Sequence, residues 1–562
     1  MERSKQTTLW LYWKNLPGSQ MPVYLKMCYE VMVKNCPECD VVLVTPEILC
    51  NFLPNIPFDL DAIRLHSDSV PPIALAADYI RVALLEKYGG IWMDIDCLVL
   101  TDLGPLVTDI LSEYDFYSMH KTETNNVVSN GFMASRPHGI VISQYLQVMT
   151  DLIQNKLACG ESFSWSEIGA SMLTPIAFEH KDVCYFEPEK IIHPIHFEDS
   201  DIFWKRTDRL DLDELIPANV KVVMLYNKRF TASNKITTRR QLLNSNCLLG
   251  ALMRRELPEQ ALWVTSPQAP EHVFTPQDVE LVFTTIARPK SCIKFIKSVR
   301  QQLGNDVAIH FVAQGDAEPE YEQAEVEYGC KVTRVGNDYG LGASRNLLVA
   351  AAERPLVFLC DDDFIFDDRL HFKQAIELMS LRQDIGVLGG LFENYTYDDS
   401  DKLISPAVVT CFNHLTWREG EVQKYLPAEY IDIPRQFITP CFYIQQMDTV
   451  NNFTLFRREI FADYGLRWEP QCKITGEHEK FYADYHTIIG EKLKVCYTNL
   501  LVTQHHRRSN QRFAQLRDRD IGLVAAMQSM HIRQMHFYGK RNEFLQQDKS
   551  MHRSGKLFWR QP

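Results

Sequence analysis

Two apolar runs in this chain end in closely spaced carboxylates. Asp94 and Asp96 fall within EKYGGIWMDIDCLVL (86–100), and Asp361, Asp362 and Asp363 within PLVFLCDDDFIF (355–366). On an extended chain the side chains at i and i+2 point to one face, so Asp94 with Asp96, and Asp361 with Asp363, can converge on one cation. Hard oxygen ligands suit Mg²⁺ or Mn²⁺, whose remaining coordination positions go to water and a substrate diphosphate. A divalent ion there offsets the charge that grows on a departing nucleoside diphosphate. An isolated Asp-x-Asp is more often a solvated turn or helix cap. Two apolar strands with the same ending, each preceded by an Arg-containing helix, point instead to one chemistry present twice.

The elements that position these carboxylates are legible from periodicity. From TTLWLYW to VKVVMLYNKRF, short β-rich runs alternate with helical patterns such as MPVYLKMCYEVMVKNC, an α/β reading. Residues 256–278 carry four prolines and little periodicity, as a linker does. A fresh strand, VELVFTTIARP, then opens a β-α-β-β-α-β series ending at PLVFLCDDD, the order of a mostly parallel sheet with its ligand at the carboxyl ends of the strands. The expected division is a first domain over 1–255, the linker 256–278, a second domain over 279–535 and a basic, aromatic tail over 536–562.

Composition sets outer limits. At 562 residues, 46% hydrophobic and 23% charged, the chain can build two large cores. A formal charge of −13 argues against nucleic acid as a partner, since phosphate contacts need clustered Lys and Arg. No 18-residue apolar span appears and the N-terminal apolar segment is too short for a signal or anchor, so a cytoplasmic location is expected. Fifteen scattered Cys fit reduced thiols. The close pair Cys36 and Cys39 has no second CxxC and no nearby His, which argues against zinc or redox chemistry. The tail, with Leu557, Phe558 and Trp559 among Lys and Arg, suits peripheral contact with the anionic inner membrane face; a polar helix with a few packed aromatics is the simpler reading. A nucleotidyl or phosphoryl transferase would also use paired carboxylates, but neither GxxxxGK[ST] nor HRD with DFG is present.

Residues 74–98, ALAADYIRVALLEKYGGIWMDIDCL, resemble the signature of DXD sugar transferases of the capsular-polysaccharide type (glycosyltransferase family 32). The resemblance implies that Asp78 and Arg81 contact the donor sugar or its diphosphate, that Gly89 and Gly90 let backbone approach the nucleotide, and that Asp94 and Asp96 hold Mn²⁺ and ribose. NGFMASRPH (130–138) and SEIGASMLT (166–174) resemble later sugar-site segments, and IIHPIHFED echoes a closing His-rich stretch that would bring His193 or His196 to the metal or diphosphate.

The second half resembles family 2-like inverting transferases, and more narrowly β-1,4-N-acetylgalactosaminyltransferases. FTTIARP would supply Thr284 and Arg288 to the nucleotide, YGLGASRNLLV would bring Arg345 and Asn346 to the diphosphate or base, and LCDDDFIF would be the metal strand with Asp361 and Asp363. TNLLVTQHHRRS resembles a strand ending in a metal-binding His, with His505 preferred over His506. Inverting transfer needs a carboxylate to take the acceptor's proton. GEHEKF offers Glu479 first and Glu477 second, although Lys480 stands where relatives often carry an acid before the Phe. The combined expectation is α/β: two GT-A type (Rossmann-like) nucleotide-sugar-binding domains in tandem. They would form a bifunctional, Mn²⁺- or Mg²⁺-dependent glycosyltransferase that takes UDP-sugars and extends a glycan or glycolipid, the first domain retaining and the second inverting. The alternative is one active transferase joined to a glycan-binding or scaffold domain.

Overall fold

The computed structural model describes residues 7–538 and 544–545, apart from 67–72, 123–125, 228–237, 266–268, 271, 398–401, 411–413, 420, 428–432, 474–475 and 508–526. The chain forms two compact units, Met1–Gln260 and Ala261–Pro562. The C-terminal segment with Leu557, Phe558 and Trp559 lies outside the described residues.

The first unit opens with β1 (Thr7–Tyr12), α1 (Val23–Asn35) and β2 (Cys39–Val44), followed by α2 (Ile73–Tyr88) and β3 (Gly90–Met93). After β4 (Cys97–Val99) come α3 (Leu103–Glu113), β5 (Phe116–Lys121), β6 (Val127–Ser135), β7 (Cys184–Pro188) and β8 (Val222–Met224). Six strands make one sheet in the order β2-β1-β3-β6-β5-β7. β1 runs parallel to β2 and β3, and β3 antiparallel to β6. α2 is buried around most of its circumference, from Leu75 to Leu85. A helix apolar on nearly all sides belongs inside the domain, and α2 carries Asp78 and Arg81 there with it.

The second unit begins β9 (Val279–Ile286), α4 (Pro289–Leu303), β10 (Ala308–Gln314), β11 (Lys331–Val335), α5 (Leu341–Ala351) and β12 (Leu356–Leu359). There follow β13 (Phe364–Ile365), β14 (Ile385–Tyr397), β15 (Tyr443–Met447), β16 (Thr454–Arg457), α6 (Glu477–Ile488) and β17 (Lys494–Arg507). An eleven-stranded sheet runs β11-β10-β9-β12-β16-β14-β17-β15 to Gln436–Phe437, with β13 beside β17 and Leu403–Thr410 beside β14. β9, β10, β11 and β12 are parallel, and β16 is antiparallel to both β12 and β14. The sequence pattern had suggested two strands in direct succession after α4. The structure places a helix, Pro319–Tyr328, between β10 and β11, because parallel neighbours cannot be joined by a tight hairpin. Both units are thus α/β with a Rossmann-like opening, in tandem as expected. The core of the second unit packs Phe283, Phe295, Phe358, Phe364 and Phe453 directly beneath the acidic turn.

Candidate active sites

In the second unit β12 ends at Leu359. Cys360 N–H donates to Val282 O (3.0 Å) and Phe364 N–H to Asp361 O (3.3 Å), so the three aspartates occupy a turn and not an extended strand end. The turn separates their environments. Asp361 keeps 27% of its side chain exposed, accepts from Asn452 Nδ2, and lies 3.8 Å from Arg345 Nη2. Asp362, fully buried, accepts from Thr285 Oγ1 at 2.6 Å and from Arg288. Asp363 takes Arg288 Nη1 on Oδ2 at 2.6 Å.

The other oxygen of Asp363 carries the chemical argument. Asp363 Oδ1 is buried without a hydrogen-bond partner, and His505 Nε2 faces it at 3.3 Å. His505 sits on β17, paired opposite Phe364 of β13, with Nδ1 2.8 Å from Asn394 Oδ1 on β14. With Nδ1–H donating to Asn394, Nε2 meets the carboxylate in one of two states: an imidazolium N–H that pairs with Asp363, or a neutral nitrogen whose lone pair is satisfied by a cation held between it and the oxygen. Ligand atoms of Asp361, Asp363 and His505 all lie within 4.8 Å of one another. Two carboxylates and an imidazole fit Mn²⁺ well, and Mg²⁺ acceptably.

Electrostatics follow from burial around this turn. Burial pushes the Asp362 carboxyl up to about 7 against the pull of Arg288. For Asp363 burial is outweighed by Arg288 and His505, and its pKa falls below the usual range. Arg288 therefore sits against the acidic turn itself, while Thr284 is half-buried near the end of β9 and its neighbour Thr285 supplies the hydroxyl to Asp362. Arg345, 1% exposed, spans Asp361 and Glu477, whose Oε1 is 3.5 Å from Nη1. Asn346 spends its amide on the Trp468 backbone, donating to O at 2.8 Å and accepting from N at 2.9 Å. Glu479 is half-buried one position beyond His478, and its charge is felt at Tyr425 and Cys472. Lys480 pairs with Asp484 at 2.5 Å. Burial and then Arg345 push His478 down to about 3, with Asp361 opposing. His506 bonds Tyr397 and Gln504, each at 2.8 Å.

The first unit's pair also lies in a turn. Asp94 N–H donates to Gly131 O (3.0 Å), and Asp96 O accepts from Leu225 N–H (2.8 Å). Arg81, buried in α2, lies 3.2 Å from Asp78 and 3.3 Å from Asp94, with its guanidinium 5.1 Å above the Trp92 ring. Asn130 Nδ2 donates to Asp78 at 2.7 Å, and a Cβ on Gly131 would fall 2.9 Å from Asp94 Oδ2. Asp96 accepts from Asn227 N–H at 2.7 Å. Burial, then Asp94, push Asp96 up to about 6; burial, assisted by Asp94 against Arg81, does the same to Asp78. Three carboxylates lie beside the Arg81 guanidinium, and the largely buried Lys121 also interacts with Asp94, so the setting is acidic but partly neutralised. Gly89 and Gly90, at φ +66° and +95°, face protein: added Cβ atoms would meet Pro137 Cδ at 2.6 Å and Thr8 O at 2.4 Å. His193 is buried with both ring nitrogens lacking hydrogen-bond partners, and burial lowers its pKa well below normal. His196 Nδ1 lies 3.5 Å from Glu189. Among the described residues, no three-ligand group includes Asp94 or Asp96.

Sequence reasoning missed Thr285, Asn394, Asn452 and His478. Thr285 and His478 had a local signal as immediate neighbours of named residues, and Asn452 lies in VNNFTLFRREIF, which resembles an acceptor-side segment of such transferases; Asn394 arrives from the distant strand β14.

Comparison with known proteins matches residues 1–163 to the model of capsular polysaccharide synthesis proteins and residues 281–465 to that of glycosyl transferase family 2. Both resemblances read in the sequence are thereby borne out. A probable glycosyltransferase of Fusarium pseudograminearum (strain CS3096), FCK3, is 30% identical over 79 residues, 14% of this chain; the chain spans only 20% of that relative's length. Among solved structures, GalNAc-T7 with UDP, GalNAc and Mn²⁺ has a TM-score of 0.31 at 12% identity, over 44% of this chain and 48% of its own. S. aureus TarS 1–349 has a TM-score of 0.29 at 12% identity, over 44% and 65%.

Proposed function

We propose that this chain is a metal-dependent glycosyltransferase with two transfer sites, each taking a nucleotide sugar, UDP-sugars foremost, and together extending a glycan or glycolipid such as a capsule or lipo-oligosaccharide. The observation that carries the reading is the convergence of Asp361, Asp363 and His505, with His505 Nε2 3.3 Å from Asp363 Oδ1, within a chain whose residues 281–465 match glycosyl transferase family 2. When bound, a divalent cation held by Asp361, Asp363 and His505 would supply Lewis-acid stabilisation to the leaving diphosphate. Arg345, fixed between Asp361 and Glu477, adds a buried positive charge next to the same group. Arg288 fixes the acidic turn through Asp362 and Asp363, and Thr284 is assigned to the nucleotide from the sequence resemblance.

In the second site the acceptor oxygen forms the new bond to the anomeric carbon as the bond to the diphosphate breaks with inversion. The acceptor's proton passes to a carboxylate. Glu477 is engaged by Arg345 at 3.5 Å, so Glu479 is assigned as the base and Glu477 as the residue that positions Arg345. N-acetylgalactosamine is the donor sugar proposed for this site. In the first site Asp94 and Asp96 hold the cation, Asp78 and Arg81 the donor sugar or diphosphate, and transfer retains configuration; galactose, glucose or N-acetylglucosamine is the sugar class.

One observation favours the alternative of a single active unit: the three-ligand set belongs to the second unit, whereas Arg81 already spans Asp78 and Asp94 in the first. Calorimetric titration of the full chain with UDP in the presence of Mn²⁺ separates the readings. Two sites per chain are expected. A single site that disappears in Asp363→Asn would reduce the first unit to a binding or scaffold role.

A further inference from the structure

The CxxC pair gains a third partner in the fold. Cys36 caps the C-terminus of α1, Cys39 opens β2, and Cys39 N–H donates to Cys36 O at 3.1 Å, closing a tight turn that points both thiols one way. Asp102, sixty residues on, is the N-cap of α3, and it ties itself to this turn by accepting from Glu38 N–H at 3.3 Å and Gly104 N–H at 3.0 Å. The Cys36 thiol donates to Thr101 O at 3.8 Å, and the adjacent Cys39 thiol, then the Leu103 backbone, lower its pKa against burial. Ligand atoms of Cys36, Cys39 and Asp102 lie within 4.8 Å of one another.

We propose that Cys36, Cys39 and Asp102 form a second kind of metal site in this protein, a thiolate-rich site for Zn²⁺ or a similar soft divalent ion, independent of the sugar-transfer centres. Tetrahedral zinc with Zn–S near 2.3 Å and Zn–O near 2.0 Å has ligand-to-ligand edges of about 3.3–3.8 Å, so the observed spacing closes on the ion with shifts of about 1 Å. Two thiolates select against the hard ions that suit Asp361 and Asp363. Gly104 leaves the necessary space: a Cβ there would stand 3.2 Å from Cys39 Sγ and 3.3 Å from Asp102 Oδ1. The cysteines are buried and Asp102 is half-buried beside exposed Thr101, which gives the ion a path in and room for water as the fourth ligand. On binding, the two thiols release their protons to solvent.

The location assigns the role. Cys39 begins β2 opposite Thr7, the first residue of the six-residue β1, whereas Asp94 follows β3 near the far end of β1, about 15–20 Å away. An ion at Cys36 would clasp α1, β2 and α3 at the amino ends of the strands, tightening the first unit without touching the reaction.

The test is Co²⁺ titration of the reduced, chelator-treated full chain. A thiolate-to-cobalt charge-transfer band in the near ultraviolet is expected, bleached by Zn²⁺ and unaffected by Mn²⁺. Asp102→Asn should weaken Co²⁺ binding by about tenfold or more, and Cys39→Ser should remove the band. Absence of the band in the wild-type chain overturns the proposal. So does a band of unchanged affinity in either variant, which assigns the cobalt to other cysteines, or a Cys36–Cys39 disulfide found by mass spectrometry in protein purified without reductant.

Discussion

Arg288 and His505 divide Asp363 between them, one oxygen paired with a guanidinium and the other facing the imidazole. The proposed ligand role of Asp363 rests on that second oxygen. At the neighbouring helix start, Glu479→Gln should lower kcat of the second transfer by about 10²–10⁴ with KM for the donor little changed. Glu477→Gln should act mainly on donor KM, through Arg345. The reverse split in steady-state kinetics would exchange the two roles. Asp78 makes a stability prediction with a defined sign. Its pKa is raised from 3.8 to about 6, so the folded state disfavours the ionised carboxyl. The stability it contributes is complete below pH 3.8 and is lost as pH rises to about 6, at a cost of about 2–3 kcal/mol above that. Asp78→Asn should therefore raise the unfolding midpoint at pH 8, lose that advantage near pH 4, and impair first-site transfer; equal midpoints at pH 8 would contradict the assignment. Residue types were legible from sequence here, and pairings were not. Asp361, Asp363 and His505 could be named from their local motifs, but the Asn394 bond that fixes the imidazole depends on β14 pairing with β17 across more than a hundred residues.

The element that fixes Arg345 is the start of α5. Gly340 has φ +101°, and a Cβ on Gly342 would lie 2.4 Å from Glu469 O. Leu341 N–H donates to Lys473 O at 3.0 Å, and Asn346 grips the Trp468 backbone. A glycine-led helix start reads as a phosphate cradle in sequence. In the fold its glycines admit the 466–473 segment, which leads into α6 and so sets Glu477 against Arg345. Gly342→Ala should destabilise the second unit by about 1–3 kcal/mol and depress the second transfer while sparing the first, as chemical denaturation and the two transfer assays would report. A first transfer equally depressed would refute the assignment. The strand argument for the aspartates was incomplete for a related reason. Alternation holds while a ladder continues, but β3 stops at Met93 and β12 at Leu359. Beyond those points, turns bring the acids together.

Across the whole molecule, two α/β units each carry an acidic turn at the carboxyl end of a parallel strand. Periodicity and the proline-rich stretch made the tandem plan legible. The crossover helix 319–328 was obscured because a short helix with so little apolar contrast has weak periodicity. No helix among the described residues is long and apolar enough to cross a membrane. The most direct test of two independent sites is transfer from labelled UDP-sugars with Mn²⁺ by the full chain, comparing Asp96→Asn with Asp363→Asn. Each substitution is predicted to abolish one transfer and spare the other; both activities surviving both substitutions would contradict the account.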